Sequence, residues 1–280
     1  MKVLVTGANG YIGSKVVKYL CDNNIEVIAT DISNENVDSR CAFISANIFE
    51  NKDNWLTIFG NPDVCLHLAW RDGFVHNSEK HMQDLPFHIN FLKCLIDNGI
   101  KQLAVMGTMH EIGYYEGAID ENTPCNPLSL YGKSKNELRS VILEYAKGKC
   151  VFQWLRAFYI FGDDSFGNSI FCKIRKASES GQKLFPFTSG KNQYDFIYVD
   201  ELAMQISKVI LQSDIQGIIN CCSGKPISLS EQVEWYIKHN HLDIKLDYGK
   251  YPDRSYDSPC VYGDDSKIRK VLSIYENSRD

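Results

Sequence analysis

The chain has 280 residues, 44% of them hydrophobic and 23% charged, with a formal net charge of -5. That length buries a sizeable core as one large domain or two unequal ones. Interspersed acids and bases with a negative balance exclude the basic patch of a nucleic-acid-binding protein, and no apolar run approaches the ~20 residues of a membrane span.

Lys2 to Thr6 reads as a short β-branched strand, followed at once by Gly7-Ala-Asn-Gly10-Tyr-Ile-Gly13. The opening apolar stretch runs straight into these glycines, unlike a signal peptide, so a cytoplasmic protein is expected. Ile12, Val16, Tyr19 and Leu20 then recur with helical spacing, and Glu26 to Thr30 forms a second strand ending in Asp31. This is a βαβ unit with glycines at its first turn. Glycines let backbone approach a pyrophosphate, whose charge the helix N-terminus favours. Asp31 can accept hydrogen bonds from both hydroxyls of an adenosine ribose and would repel a 2'-phosphate. NAD(H) is therefore favoured, with NADP(H) kept open.

Further strands are predicted at Ala42–Ser45, Val64–Leu68, Leu103–Met106, Val151–Leu155 and Ile218–Cys222, with helical patterns between most of them. A helix is expected over Pro86 to Leu95, carrying Asn90. The architecture is an α/β doubly wound parallel sheet. Residues 1–161 with 200–223 should form the dinucleotide-binding part, and 162–199 with 224–280 a smaller interleaved substrate part. Ten cysteines are scattered, often inside apolar runs and with no CxxC, so they read as reduced small hydrophobes. His76, His81 and His88 fall in one neighbourhood without metal-ligand spacing, and no metal is expected.

The stretch from Val105 to Lys135 carries the chemistry. A strand ends so as to expose Thr108, a polar loop with Pro124 and Pro127 follows, and a helix starts near Ser129. Tyr131 and Lys135, at i and i+4, share a face of that helix. A second Tyr-x-x-x-Lys, Tyr145 to Lys149, lies roughly 20 Å further along the helix axis at 1.5 Å per residue, too far to meet Thr108. A free phenol titrates near ~10, too high for an efficient base at neutral pH. Lys135 one turn away should favour the phenolate, while Thr108 holds the reacting oxygen.

The GxxGxxG spacing, with this trio, resembles the extended short-chain dehydrogenase/reductase family, in its sugar-nucleotide epimerase/dehydratase branch. Several segments carry the likeness along nearly the whole chain, from Lys2 to about Leu272. They are His67-Leu68-Ala69, the Glu111-Ile112-Gly113 turn that puts Thr108 in register, Leu155-Arg-Ala-Phe-Tyr-Ile-Phe-Gly162, Asp195-Phe-Ile-Tyr-Val-Asp200, and Arg254 ahead of Asp264 to Lys267. The resemblance implies cofactor contacts from Gly7, Gly10, Tyr11, Ile12, Gly13, Asp31, Ile32, Asn47, Ile48, Leu68, Ala69, Tyr131, Lys135 and Phe158. Lys135 would also hold the nicotinamide ribose, and Asn90 would order contacts behind it. Arg254 would pair with a nucleotide diphosphate, a task an Arg fork suits.

Two departures stand out. Tyr159 replaces a substrate-contacting Asn and Tyr194 replaces an Arg, leaving Asn168 as a candidate to take over part of that role. Met109, His110 and Glu111 replace the small residues usual after the Ser/Thr and are expected to line the sugar, with His110 or Glu111 touching it. The implied function is NAD(P)H-dependent reduction of the 4-keto group of a nucleotide-activated, dTDP-linked 4-keto-6-deoxyhexose. A nucleotide-sugar 4-epimerase with bound NAD and a non-catalytic dinucleotide sensor remain the alternatives. The partners implied are a nucleotide sugar and a second copy of the chain in a homodimer, with no nucleic acid and no membrane.

Overall fold

The computed structural model describes residues 1–162, 169–253 and 257–276. The first half runs β1 (Lys2–Thr6), α1 (Tyr11–Asp22), β2 (Glu26–Asp31), β3 (Ala42–Ser45), α2 (Trp55–Ile58), β4 (Val64–His67), α3 (Lys80–Asp97) and β5 (Gln102–Thr108). A 3-10 turn (Met109–Glu111), β6 (Gly117–Ile119) and α4 (Leu130–Ala146) complete it. The second half runs β7 (Val151–Ala157), β8 (Tyr159–Phe161), α5 (Ile170–Glu179), β9 (Leu184–Pro186), β10 (Gln193–Tyr198) and α6 (Val199–Ile210). It closes with β11 (Gly217–Cys221), β12 (Pro226–Ser228), α7 (Leu229–His239), β13 (Lys245–Asp247), β14 (Cys260–Gly263) and α8 (Ser266–Glu276).

Seven strands form one sheet in the order β11-β7-β5-β4-β1-β2-β3, and every neighbouring pair is parallel. Helices cover both faces, which is why the central strands read as continuous apolar runs: all seven residues of β5 are buried. Val16, Val17 and Leu20 of α1 share one face's core with Leu202 and Ile206 of α6 and with Ile268 and Val271 of α8. Phe91, Leu92 and Leu95 of α3 pack with Leu138 and Ile142 of α4 in the other. The strand order reverses between β1 and β4, so a crevice opens at the carboxyl ends of these strands. Ligands of open α/β sheets bind in such crevices.

A second, five-stranded sheet joins β12, β10, β14 and β6, with β8 paired to β10. It covers a core of Phe158, Phe161, Phe171, Phe187, Phe196, Tyr236 and their neighbours. The packing cuts across the expected boundaries in two places. β6 and β8 precede residue 162 yet pair in the second sheet, and α8 returns to the core of the first. Asp195, fully buried, ties the two parts. Its carboxylate accepts from the backbone N–H of Ser223 (2.8 Å), Gly224 (2.9 Å) and Gly263 (3.0 Å).

The helix expected from Pro86 begins six residues earlier, at Lys80, and carries the proline inside it. Asp84 and His81 continue the buried face of His88 about one and two turns towards the N-terminus, and that packing overrides proline's preference for a first turn. All ten cysteines are free, and Cys65, Cys172, Cys221 and Cys222 are buried. Among the described residues no helix is long and apolar enough to cross a membrane.

Candidate active site

The glycine turn after β1 is held by contacts no larger residue would permit. Gly7 has φ +69°, and a Cβ there would meet the Ala69 nitrogen at 2.6 Å. A Cβ on Gly13 would stand 2.1 Å from the Gly7 carbonyl oxygen. Backbone is thereby left bare at the start of α1, as a phosphate cradle requires. A cavity of about 1290 Å³ opens there, lined by Gly7, Gly10, Tyr11, Ile12, Gly13 and Leu68 at this end. It runs on past Thr108, His110, Tyr131, Lys135 and Phe158 to Tyr159 and Tyr194. That length suits a dinucleotide placed end to end with a second, sugar-bearing ligand.

Thr108 is the last residue of β5 and caps the 3-10 turn, its hydroxyl accepting from the His110 N–H at 3.3 Å. Ser129 caps α4 by accepting from the Gly132 N–H at 3.1 Å, which sets Tyr131 and Lys135 in the first two turns. Burial pushes the Tyr131 phenol above its ordinary value, helped by the charge of Glu111, while the neighbouring Thr108 hydroxyl favours the phenolate. Lys135, only 2% exposed, donates to the Met106 carbonyl at 2.8 Å and lies over the Trp70 ring at 3.9 Å. Burial lowers its ammonium to about 7, opposed by Glu111. The help expected from Lys135 is therefore reduced, because burial holds its ammonium down, and Thr108 also favours the phenolate.

A segment from Trp70 to His81 walls the same cavity. His76 stacks on Tyr131 (centroids 5.5 Å apart, planes at 13°) and sits 4.4 Å from His110. The segment is fastened to α4 by backbone: the Tyr131 N–H donates to the His76 carbonyl at 2.8 Å, and the Leu130 N–H to the Asn77 side chain at 3.2 Å. The Trp70 indole donates to His81 Nδ1 at 3.0 Å, so the His81 Nε2 proton goes to the Val75 carbonyl, also at 3.0 Å. Behind Trp70, Thr6, His67 and His88 form a buried chain with links of 2.8 and 2.9 Å. Burial keeps both imidazoles neutral, His67 being lowered to about 3.

The structure gathers Gly7, Gly10, Tyr11, Ile12, Gly13, Leu68, Thr108, His110, Tyr131, Lys135, Phe158 and Tyr159 around one cavity. Asp31 lies at the end of β2 beside the glycine turn, accepting from the Asn9 and Ile32 N–H groups at 3.0 and 2.8 Å. Asn9, which the sequence reading passed over, also bonds Ser33 and Glu35 and so joins the glycine turn to the β2–β3 loop. Ala69 backs Gly7. Asn47, after β3, is exposed and caps its own turn through the Phe49 N–H. Ile32 is 77% exposed, while Ile48 is buried in the core. Asn168 and Arg254 fall outside the described residues.

Two expectations fail on side-chain direction. Asn90 is exposed and faces Glu50 to Asp53 across a shallow depression, because the buried stripe of α3 runs through His88 and Phe91 instead. Glu111 is fully buried and turned away from the cavity, while its neighbour His110 lines it. Tyr145 is engaged elsewhere, its hydroxyl 2.8 Å from Asp97 on α3. Tyr159 and Tyr194 lie 4.4 Å apart between ring centroids, their planes tilted by 39°, and form the aromatic far wall. His67, His76 and Trp70 were missed as site residues. The signal for His67 was its place in the HLA segment, and for Trp70 its place directly after it.

The model of the NAD dependent epimerase/dehydratase family matches residues 3–222. A protein of Aggregatibacter actinomycetemcomitans, dTDP-6-deoxy-L-talose 4-dehydrogenase (NAD(+)), is 43% identical over 272 residues, spanning 94% of this chain and 99% of its own. UDP-arabinose 4-epimerase 1 of Arabidopsis thaliana is 27% identical over 316 residues, spanning 97% and 74%. Among solved structures, the UDP-N-acetylglucosamine 4-epimerase from Methanobrevibacter ruminantium M1, in complex with UDP-N-acetylmuramic acid, superposes with a TM-score of 0.82 at 22% identity. It covers 96% of this chain and 91% of that one. The chain belongs to the NAD-dependent epimerase/dehydratase family.

Proposed function

We propose that the protein is an NAD-dependent oxidoreductase acting at C4 of a dTDP-linked 6-deoxyhexose, interconverting the 4-hydroxyl and 4-keto forms. The observation that carries this reading is the joint one: Thr108, Tyr131 and Lys135 meet at one cavity, in a chain 43% identical to a dTDP-6-deoxy-L-talose 4-dehydrogenase. The bare glycine turn fits a pyrophosphate, and the Asp31 carboxylate at the tip of β2 favours the unphosphorylated ribose of NAD. Bound there, the nicotinamide supplies a place for hydride to be accepted or returned.

The chain's own residues handle the proton. Thr108 holds the C4 oxygen beside the phenol. In oxidation the Tyr131 phenolate takes the proton from the C4 hydroxyl as hydride leaves C4, giving the ketone. In reduction the Tyr131 phenol returns that proton to the oxygen as hydride arrives. Lys135, when charged, steadies the phenolate, and it would hold the nicotinamide ribose. Trp70, His76 and His110 fence this centre with neutral rings and exclude water.

A 4-epimerase is the second reading, supported by the UDP-arabinose 4-epimerase likeness. One assay separates them: purified protein with dTDP-6-deoxy-L-talose and NAD, following the absorbance of reduced nicotinamide. NADH formed in step with a 4-ketosugar supports the dehydrogenase. Interconversion of C4 epimers without net NADH would replace it with the epimerase. Tyr131→Phe should lower turnover by about 10³-fold or more with NAD binding retained, and unaltered turnover would sink the catalytic assignment under either reading.

A further inference from the structure

Glu111 is a buried carboxylate that the proposed proton chemistry does not use. It sits on the far side of the 3-10 turn from the cavity and is fully buried. One carboxylate oxygen accepts from the Thr108 N–H at 2.7 Å, and the Trp154 indole N–H stands 3.0 Å from both oxygens. Arg139 of α4 and Arg156 of β7 approach at 3.5 and 3.7 Å. Among the described residues, the groups that face it are donors or cations, which suits the acceptor-only carboxylate form. Room for it exists only because residue 107 is glycine: a Cβ there would meet Trp154 Nε1 at 2.1 Å and Glu111 Oε1 at 2.7 Å.

The end of β5 thus grips two opposite charges. The Met106 carbonyl takes Lys135, and two residues on the Thr108 N–H takes Glu111. We propose that Glu111 is a positioning residue of the catalytic centre, its carboxylate locking the turn that aims Thr108 at Tyr131 and supplying the negative charge against which Lys135 is held. The proposal rests on Thr108, Tyr131 and Lys135 being the reacting trio.

Electrostatics agree with the geometry. The Glu111 charge raises both Tyr131 and Lys135; burial pushes the Glu111 carboxyl itself above its ordinary value, against the pull of Arg156, Thr108, Trp154 and Arg139 towards the carboxylate. The remaining titratable groups that feel Lys135 are His67 of β4 and His88 of α3, both held neutral. Removing the charge at position 111 while keeping the shape should therefore ease phenolate formation at Tyr131 and weaken the charge on Lys135.

Three variants test this with dTDP-6-deoxy-L-talose and NAD across pH. Glu111→Gln should lower kcat about tenfold and move the acid limb of the oxidation profile to lower pH. KM for NAD should stay within about twofold, because residue 111 does not line the cavity. Glu111→Asp keeps the charge but shortens the reach to Thr108. It should lose kcat by a similar factor while its acid limb stays with the wild type. A Glu111→Gln profile superimposable on wild type overturns the electrostatic part, and a wild-type kcat in Glu111→Asp overturns the positioning part. Tyr131→Phe, run in parallel, separates the levels: if it turns over normally, the reacting trio falls and the proposal with it.

Discussion

Lys135 should be a residue the fold would be more stable without. Its ammonium is buried and titrates at about 7 instead of 10.5, and at about 1.36 kcal/mol for each factor of ten that difference costs about 5 kcal/mol when the side chain is charged. The sign follows from linkage. Below pH 7 the lysine is protonated both folded and unfolded, and the full cost is present. Between pH 7 and about 10 the unfolded chain binds the extra proton, so stability rises with pH. Lys135→Met keeps the length of the stem and removes the charge, but it strips the Met106 carbonyl of its donor, a loss of roughly 1–3 kcal/mol. The variant should therefore be more stable than wild type by about 2–4 kcal/mol at pH 6, a rise in Tm of about 5–10 °C for a chain of this size.

The better test cancels the constant contributions. At pH 9 only about 2 kcal/mol of the charge cost remains, so the advantage of Lys135→Met should shrink by about 3 kcal/mol between pH 6 and pH 9. Urea unfolding of both proteins at the two values, followed by far-UV circular dichroism, measures it, and turnover of the variant should fall steeply in the same preparations. A variant less stable than wild type at pH 6, with the same pH dependence, would refute the reasoning. It would mean that Glu111 and the Trp70 ring offset the burial completely.

Further outcomes follow from the geometry. Gly13→Ala should cost about 2–3 kcal/mol and abolish NAD binding, since its Cβ would stand 2.1 Å from the Gly7 oxygen. Gly73→Ala, with nothing within 4 Å of the added Cβ, is the neutral control in the same thermal melts. Asn90→Ala should leave kcat and KM within about twofold in the NADH assay, because the residue is exposed; a tenfold loss would restore it to the active centre.

The parts of the site set by local rules were legible in the sequence. Ser129 as a cap and the i, i+4 spacing of Tyr131 and Lys135 belong to one helix, and helix geometry is local. The glycine turn and Asp31 were legible for the same reason, since both belong to one βαβ unit. What failed was the choice between neighbours. Glu111 and His110 are adjacent on a 3-10 turn, and only the packing of Trp154 and Arg156 from β7 decides which faces inward. Asn90 and His88 are two residues apart on α3, and the helix phase that separates them depends on where the helix begins. Taking Pro86 as its start removed the buried residues His81 and Asp84 that set the phase. Strands of three residues such as β6 and β8 carry too little pattern to be seen and exist because β10 and β14 offer them partners.

The fastening of the Trp70–His81 segment to α4 has a mechanical consequence. The first turn of a helix has N–H groups with no partner of its own. Here those of Leu130 and Tyr131 are satisfied by Asn77 and by the carbonyl of His76. The wall of the cavity cannot swing outward without leaving the start of α4 to fray. The position of the Trp70–His81 wall and the ordering of the Tyr131 backbone are thereby tied together.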